Sequence, residues 1–223
     1  PSRLACMAKK ALIVYGGWDG HQPTESAELW ASILKDEGVD VELSDTLDVL
    51  KDTEKIQSLD LLVPNWTMGQ IEKEQVAGFT AATEAGVGIA GFHGGMGDAF
   101  RGAIGYQWIT GAQFMAHPDG VKKWTVNIVS DDPVVDGIED FEIESEQYYM
   151  LVDPNHEVLA ETTFHPESAP WAEGRKMPVV MKKIHNQSRV FYSAIGHKVH
   201  EFEIPQVREI QKRGFLWAMK EKP

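Results

Sequence analysis

Cysteine is almost missing from this chain. Cys6 is the only one in 223 residues, and it lies at the N-terminal end. A lone thiol there excludes an intramolecular disulfide, a CxxC zinc site and a cysteine nucleophile in the core. Long apolar runs are also missing. None approaches the ~20 residues that a membrane-spanning helix needs. Basic residues are scarce, with 21 Lys and Arg against 34 Asp and Glu, a net charge of −13. Nucleic acid and anionic membrane surfaces are therefore poor partners, since both reward neutralisation of phosphate. No apolar segment precedes Lys9-Lys10, so the start does not read as a secretory signal. This pattern reads as a cytoplasmic protein. Met7 reads as a native start, with residues 1–7 as a tail ahead of one domain over 8–222. No Pro/Gly/Ser-rich linker and no internal repeat divides that span.

What is present is an ordinary globular balance, 43% hydrophobic and 25% charged, with ample material for a core. Lys10–Gly17 reads as a buried strand, Pro23–Glu37 as a helix, and Val39–Leu43 as a second strand. Leu59–Pro64 is a third strand, Lys73–Ala85 a helix closed by Gly86, and Val87–Phe92 a fourth strand. This alternation predicts an α/β fold with a parallel sheet and right-handed crossovers. The second half adds strands at Lys123–Val129, Phe141–Ser145, Val158–Ala160, Val179–Ile184 and Arg189–Ile195. Asn186-Gln187-Ser188 reads as a hairpin turn between the last two. Ile204–Lys222 reads as a closing amphipathic helix, and Gly111–His117 and His165–Pro178 as loops.

The richest stretch is Gly88-Ile-Ala-Gly-Phe-His-Gly-Gly-Met-Gly97. An apolar strand ends in a histidine wrapped in glycines, and a small-residue helix follows. Glycines tolerate the sharp backbone of such an elbow. The elbow lifts one side chain over the carboxyl edge of the sheet, where ligands bind in open α/β folds. That side chain is His93, a proton carrier or metal ligand rather than a strong nucleophile.

Two more glycine-flanked histidines follow strands, His21 and His197. The carboxyl ends of parallel strands share one edge, so the three can meet. Around them, Trp18 and Phe92 offer aromatic faces, and Asn65 and Trp66 follow the third strand. Arg101 can fix an anionic or hydroxylated ligand. His117 ends the Gly111–His117 loop. Glu144 and Glu146 end a strand, and a carboxylate beside a histidine orients it or shares its proton work. His156, His165, His185 and His200 have no such setting and read as surface residues.

The ordered set is Gly20-His21, Gly91-Phe92-His93-Gly94-Gly95 with Phe100, and Gly111-Ala112-Gln113-Phe114 with His117. Asp136-Gly137-Ile138 with Phe141, Glu146-Gln147-Tyr148 and Gly196-His197 complete it. This order resembles the trehalose-utilisation (ThuA-like) family, within the class I glutamine amidotransferase-like fold. The resemblance implies a flavodoxin-like three-layer sandwich with a mostly parallel central sheet, extended by extra strands in the second half. It also brings Gly94 and Tyr148 into the candidate site.

True amidotransferases of that fold carry Gly-x-Cys-x-Gly at the elbow and a late His-Pro-Glu. Here His93 stands at the cysteine position, and His197-Lys198-Val199 keeps only the histidine. A glutaminase needs a thiolate, so glutamine hydrolysis is not expected. The family's tie to sugar catabolism implies a sugar or oxidised sugar as ligand. His93 and His197 would then exchange protons with it, and Glu146 would orient one of them or act as a second base. Isomerisation, epimerisation and hydrolysis all fit such a pair.

The substrate-binding set is Trp18, His21, Asn65, Trp66, Phe92, Gly94, Arg101, His117 and Tyr148. One alternative is a metal-dependent enzyme, with some of His21, His93, His117, His197 and Glu146 holding a divalent ion. Another is a non-catalytic sugar-binding or regulatory protein on an inactive amidotransferase scaffold. No cofactor is assigned beyond that divalent metal. The expected partner is a sugar-like small molecule, with homo-oligomerisation left open.

Overall fold

Apolar strands separated by amphipathic helices build the first half, as their patterning requires. A computed structural model describes residues 7–220. The expected tail therefore lies outside the described residues, apart from Met7, which is exposed. The order begins β1 (Lys10–Gly17), α1 (Pro23–Asp36), β2 (Asp40–Ser44) and α2 (Thr53–Gln57). It continues with β3 (Leu61–Thr67), α3 (Lys73–Ala85), β4 (Gly88–Phe92), α4 (His93–Gly97) and α5 (Ile104–Thr110). The second half holds β5 (Ala112–Ala116), β6 (Val121–Ile128), β7 (Phe141–Glu146), β8 (Tyr149–Val152) and β9 (Glu157–Thr163). β10 (Lys176–His185), β11 (Ser188–Ser193) and α6 (Pro205–Ala218) complete it.

Nine strands form one sheet in the order β2-β1-β3-β4-β11-β10-β9-β6-β7, and β5 pairs with β8 in a separate ribbon. The sheet is mixed, which corrects the expectation of a mostly parallel one. The β2–β1, β1–β3, β3–β4 and β4–β11 junctions are parallel. The β11–β10, β10–β9, β9–β6 and β6–β7 junctions are antiparallel. The reason lies in the connections. Helical crossovers return the chain in the same direction in the first half. Short turns such as Asn186-Gln187 reverse it in the second.

β1 sits between β2 and β3, so the winding direction changes there. Right-handed crossovers then place α1 and α3 on opposite faces. Ligands in open α/β sheets bind outside the carboxyl ends of the strands at this kind of switch point. Because β11 runs parallel to β4, its carboxyl end joins the same edge.

On one face α1 and α6 pack through aromatic rings. Trp30 is 1% exposed and lies 5.1 Å from Phe202 and 5.2 Å from Phe215 between ring centroids. Phe92 joins this group, 4.9 Å from Phe202. Phe92 is therefore core, not a ligand platform. Strand alternation sends its side chain under α1, opposite to the expectation.

Several local expectations also needed correction. Gly111–His117 contains strand β5, whose pairing with β8 lies far away in sequence. The closing helix ends at Ala218 rather than Lys222, the last three positions lying outside the described residues.

His156 is buried rather than on the surface. Its Nε2–H donates to the Thr110 carbonyl at 3.0 Å. Burial, with the nearby Lys183 charge, lowers its pKa from 6.5 to about 4. In the unfolded chain the ring protonates near 6.5, so between 6.5 and 4 the unfolded state binds more protons. Stability should therefore be full above pH 6.5 and fall as pH drops toward 4. For a ring this buried the loss is on the order of 2–3 kcal/mol. Denaturant titrations across that range should show the slope, and His156→Gln should make it shallower.

Candidate functional site

The elbow positions His93. Its φ is 45°, in the left-handed region that a non-glycine residue rarely adopts, at a typical cost of about 1–3 kcal/mol. The Tyr192 hydroxyl donates to the His93 carbonyl at 2.8 Å, and the surrounding glycines let neighbours close in. A Cβ on Gly94 would lie 2.5 Å from His21 Cε1 and 2.9 Å from the Tyr148 hydroxyl. Gly94 therefore contributes by having no side chain.

The His93 ring is held from both ends. Nδ1–H donates to the Ala194 carbonyl at 2.8 Å. This assigns the Nδ1 proton, because a carbonyl oxygen can only accept. Nε2 then faces Glu146 Oε2 at 3.0 Å. The Tyr148 ring stacks on His93, with centroids 4.0 Å apart.

His21 follows β1 and His197 follows β11. His21 Nδ1 is 2.8 Å from Thr67 Oγ1 at the end of β3, and its Nε2 is 3.9 Å from Glu146 Oε2. His197 Nδ1 is 3.3 Å from the same oxygen. It is not aligned for a hydrogen bond, and it is buried without a hydrogen-bond partner. One carboxylate oxygen thus faces three imidazoles, which arrive from positions far apart in sequence. The other oxygen, Oε1, is 3.8 Å from Nε2 of the half-exposed His117.

Electrostatics follow from this crowding. Burial alone would raise the Glu146 carboxyl, but the close approach of His197 and His93, and the His93 hydrogen bond, outweigh it. They hold Glu146 well below the usual carboxylate range. His21 is lowered from 6.5 to about 3 by burial and by the charges of His93 and His197. It is therefore a neutral ring at physiological pH.

Other candidates take different places. Trp18 is 48% exposed and meets His21 edge-on, with centroids 4.8 Å apart. It forms an open aromatic wall. Arg101 makes a bidentate pair with Asp98 at 2.7 and 2.8 Å and lies over Phe114, so its fork is already filled. Asn65 is buried. Its amide donates to Ser26 Oγ and the Pro23 carbonyl, so it ties β3 to α1 rather than facing a ligand. Trp66 packs over the glycine backbones at 16, 17 and 69. Glu144 is exposed on β7.

Several contributors carried no signal that we read in the sequence. Thr67 and the Ala194 carbonyl orient two of the rings. Glu201 is buried. Its Oε1 accepts from Ser145 Oγ at 2.8 Å and from His197 N at 3.3 Å, and its Oε2 accepts from Lys198 N at 3.2 Å. It ties the His197 loop to the strand that carries Glu146. Its position three residues after Lys198 at a helix start is a capping spacing, which could have exposed it.

The model of the trehalose utilisation family, ThuA, matches residues 10–218. The chain belongs to this family. Solved ThuA-like structures share its fold. One from Bacteroides uniformis superposes with a TM-score of 0.77 at 19% identity, covering 98% of this chain and 94% of that one. One from Parabacteroides merdae gives 0.76 at 18% identity, covering 97% and 91%. A GH42 β-galactosidase from G. stearothermophilus gives 0.57 at 12% identity, covering 98% of this chain but 31% of that one. These likenesses show the fold alone. No curated protein matches the chain in sequence. No helix among the described residues is long and apolar enough to cross a membrane.

Proposed function

We propose that this ThuA-family protein is an enzyme that moves protons on a sugar or oxidised sugar. The cluster of His21, His93, His197 and Glu146, with His117 beside it, is its active site. The observation that carries this reading is the convergence of three imidazoles on one oxygen of Glu146. The family's link to trehalose utilisation supports a sugar substrate, and Trp18 offers a face on which a sugar ring can stack.

The donor set favours one reaction class. Most glycoside hydrolysis uses two carboxyl groups flanking the bond. The cluster holds one carboxylate among four ligand-type groups, and the nearby Asp98 is bound by Arg101. A histidine–carboxylate set suits removal and return of a proton at a hydroxyl- or carbonyl-bearing carbon, as in isomerisation or epimerisation. Glutamine hydrolysis has no support, because His93 stands where the thiolate would have to be.

A thermal-shift screen of trehalose, other disaccharides and their oxidised forms is the first test. A ligand that binds only the folded state raises Tm with concentration. Sugars that raise Tm are then incubated with the protein in deuterated water, with product detected by NMR. The expected result is turnover with deuterium entering one carbon. Binding without chemical change, in protein as isolated and with added divalent metal, would favour the non-catalytic sugar-binding reading.

A further inference from the structure

We infer that His21, His93, His197 and Glu146 are the ligands of a divalent transition-metal ion. This inference deepens the reading above, because it concerns what sits at the centre of the same site. One ligand atom from each of the four residues lies within 4.8 Å of all the others. Around a first-row ion with bonds of about 2.0–2.2 Å, neighbouring donors sit roughly 3–3.5 Å apart and opposed ones about 4 Å apart. The distances from Glu146 Oε2 to His93, His197 and His21 are 3.0, 3.3 and 3.9 Å. Drawing the donors together, from within 4.8 Å of one another to about 4 Å or less, closes the set around one ion.

The proton inventory points the same way. His93 has its Nδ1 proton committed to Ala194, so its Nε2 lone pair and the Glu146 oxygen face each other. A proton or a cation must lie between them. A proton satisfies that one pair and leaves His197 Nδ1 buried without a hydrogen bond. A cation at the centre satisfies all four donors. The outer contacts are those that metal-binding histidines use. Ala194 O and Thr67 Oγ1 hold the far nitrogens of His93 and His21, fixing ring orientation and aiming Nε2 inward.

Three imidazoles and one carboxylate do not make a magnesium or calcium site, since those ions prefer oxygen. They suit manganese, iron, cobalt, nickel or zinc. Such an ion acts as a Lewis acid that polarises a hydroxyl or carbonyl oxygen. His117 stays outside the ligand set, half exposed and next to the second oxygen of Glu146.

The test uses untagged protein. It is stripped with a chelator, dialysed, and titrated separately with manganese, cobalt and zinc chloride by calorimetry and thermal shift. We expect one ion bound per chain with a rise in Tm, and d–d absorption from the cobalt form. Glu146→Gln keeps size and shape and should weaken binding by ~10²-fold, as should the double variant His93→Ala/His197→Ala. Thr67→Val should weaken it by about 10–100-fold through the orientation of His21. Circular dichroism confirms that each variant is folded. Failure of all three ions to bind stoichiometrically would overturn the inference. So would binding left unchanged in Glu146→Gln, since the ion would then lie elsewhere. Sugar turnover by metal-free protein would defeat the metal centre and leave the enzyme reading standing. A bound ion without turnover of any sugar would do the reverse.

Discussion

Replacing His93 or His197 by alanine is expected to lower turnover of the true sugar substrate by ~10²-fold or more, the scale of a lost positioned proton carrier and equally of a lost ligand to a catalytic ion. Each substitution empties one side of the Glu146 oxygen. His93→Ala also leaves the Ala194 carbonyl without its donor. Both variants should remain folded, because the cluster lies at the sheet edge and α1 and α6 pack through other residues. The readout is kcat against KM for each variant. A loss in kcat with KM nearly unchanged marks an interaction made mainly in the transition state. Normal turnover in either variant would remove that histidine from the chemistry. His93→Cys should release no ammonia from glutamine. Glu201 holds the backbone of His197 and Lys198 rather than the His197 ring, so the thiol would have no oriented base of the amidotransferase kind.

Trp30→Ala should destabilise the protein by about 3–5 kcal/mol, a large share of a typical total of about 5–15 kcal/mol. The indole is among the largest fully buried side chains and packs α1 against Phe215 of α6, Phe202 just before it and Phe92 of β4. No neighbouring ring can fill its volume without shifting a helix. Trp30→Phe should cost much less. It keeps most of the aromatic contact and removes an indole N–H that is buried without a hydrogen-bond partner, which offsets part of the lost packing. Urea titrations of both variants give the difference. Equal losses for Phe and Ala would show that the ring's packing is not what holds the two helices together.

Much of the first half was legible because its determinants are local. The apolar run of β1, the proline and apolar spacing of α1, and Gly86 closing α3 act over a few residues. The glycines around His93 announced the elbow in the same way, and its positive φ followed. A shared sheet edge even predicted that histidines following different strands would gather, since parallel strands end on the same side.

Tertiary structure decided the rest, because the deciding partners lie tens of residues away. Only pairing across the sheet showed that β10, β9, β6 and β7 run antiparallel to their neighbours. Alternation announces that a strand has two faces, but not which face meets a helix. Phe92 therefore looked like a ligand wall and is core. His156 and Asn65 carry polar groups that sequence leaves free, and the fold spends them on Thr110, Ser26 and Pro23. The sequence by itself determined that His21, His93 and His197 would share an edge. The tertiary structure alone turned all three toward a single oxygen of Glu146. Direction at that scale is set by Ala194, Thr67 and the Glu201-held loop, contacts that exist only once the chain has closed on itself.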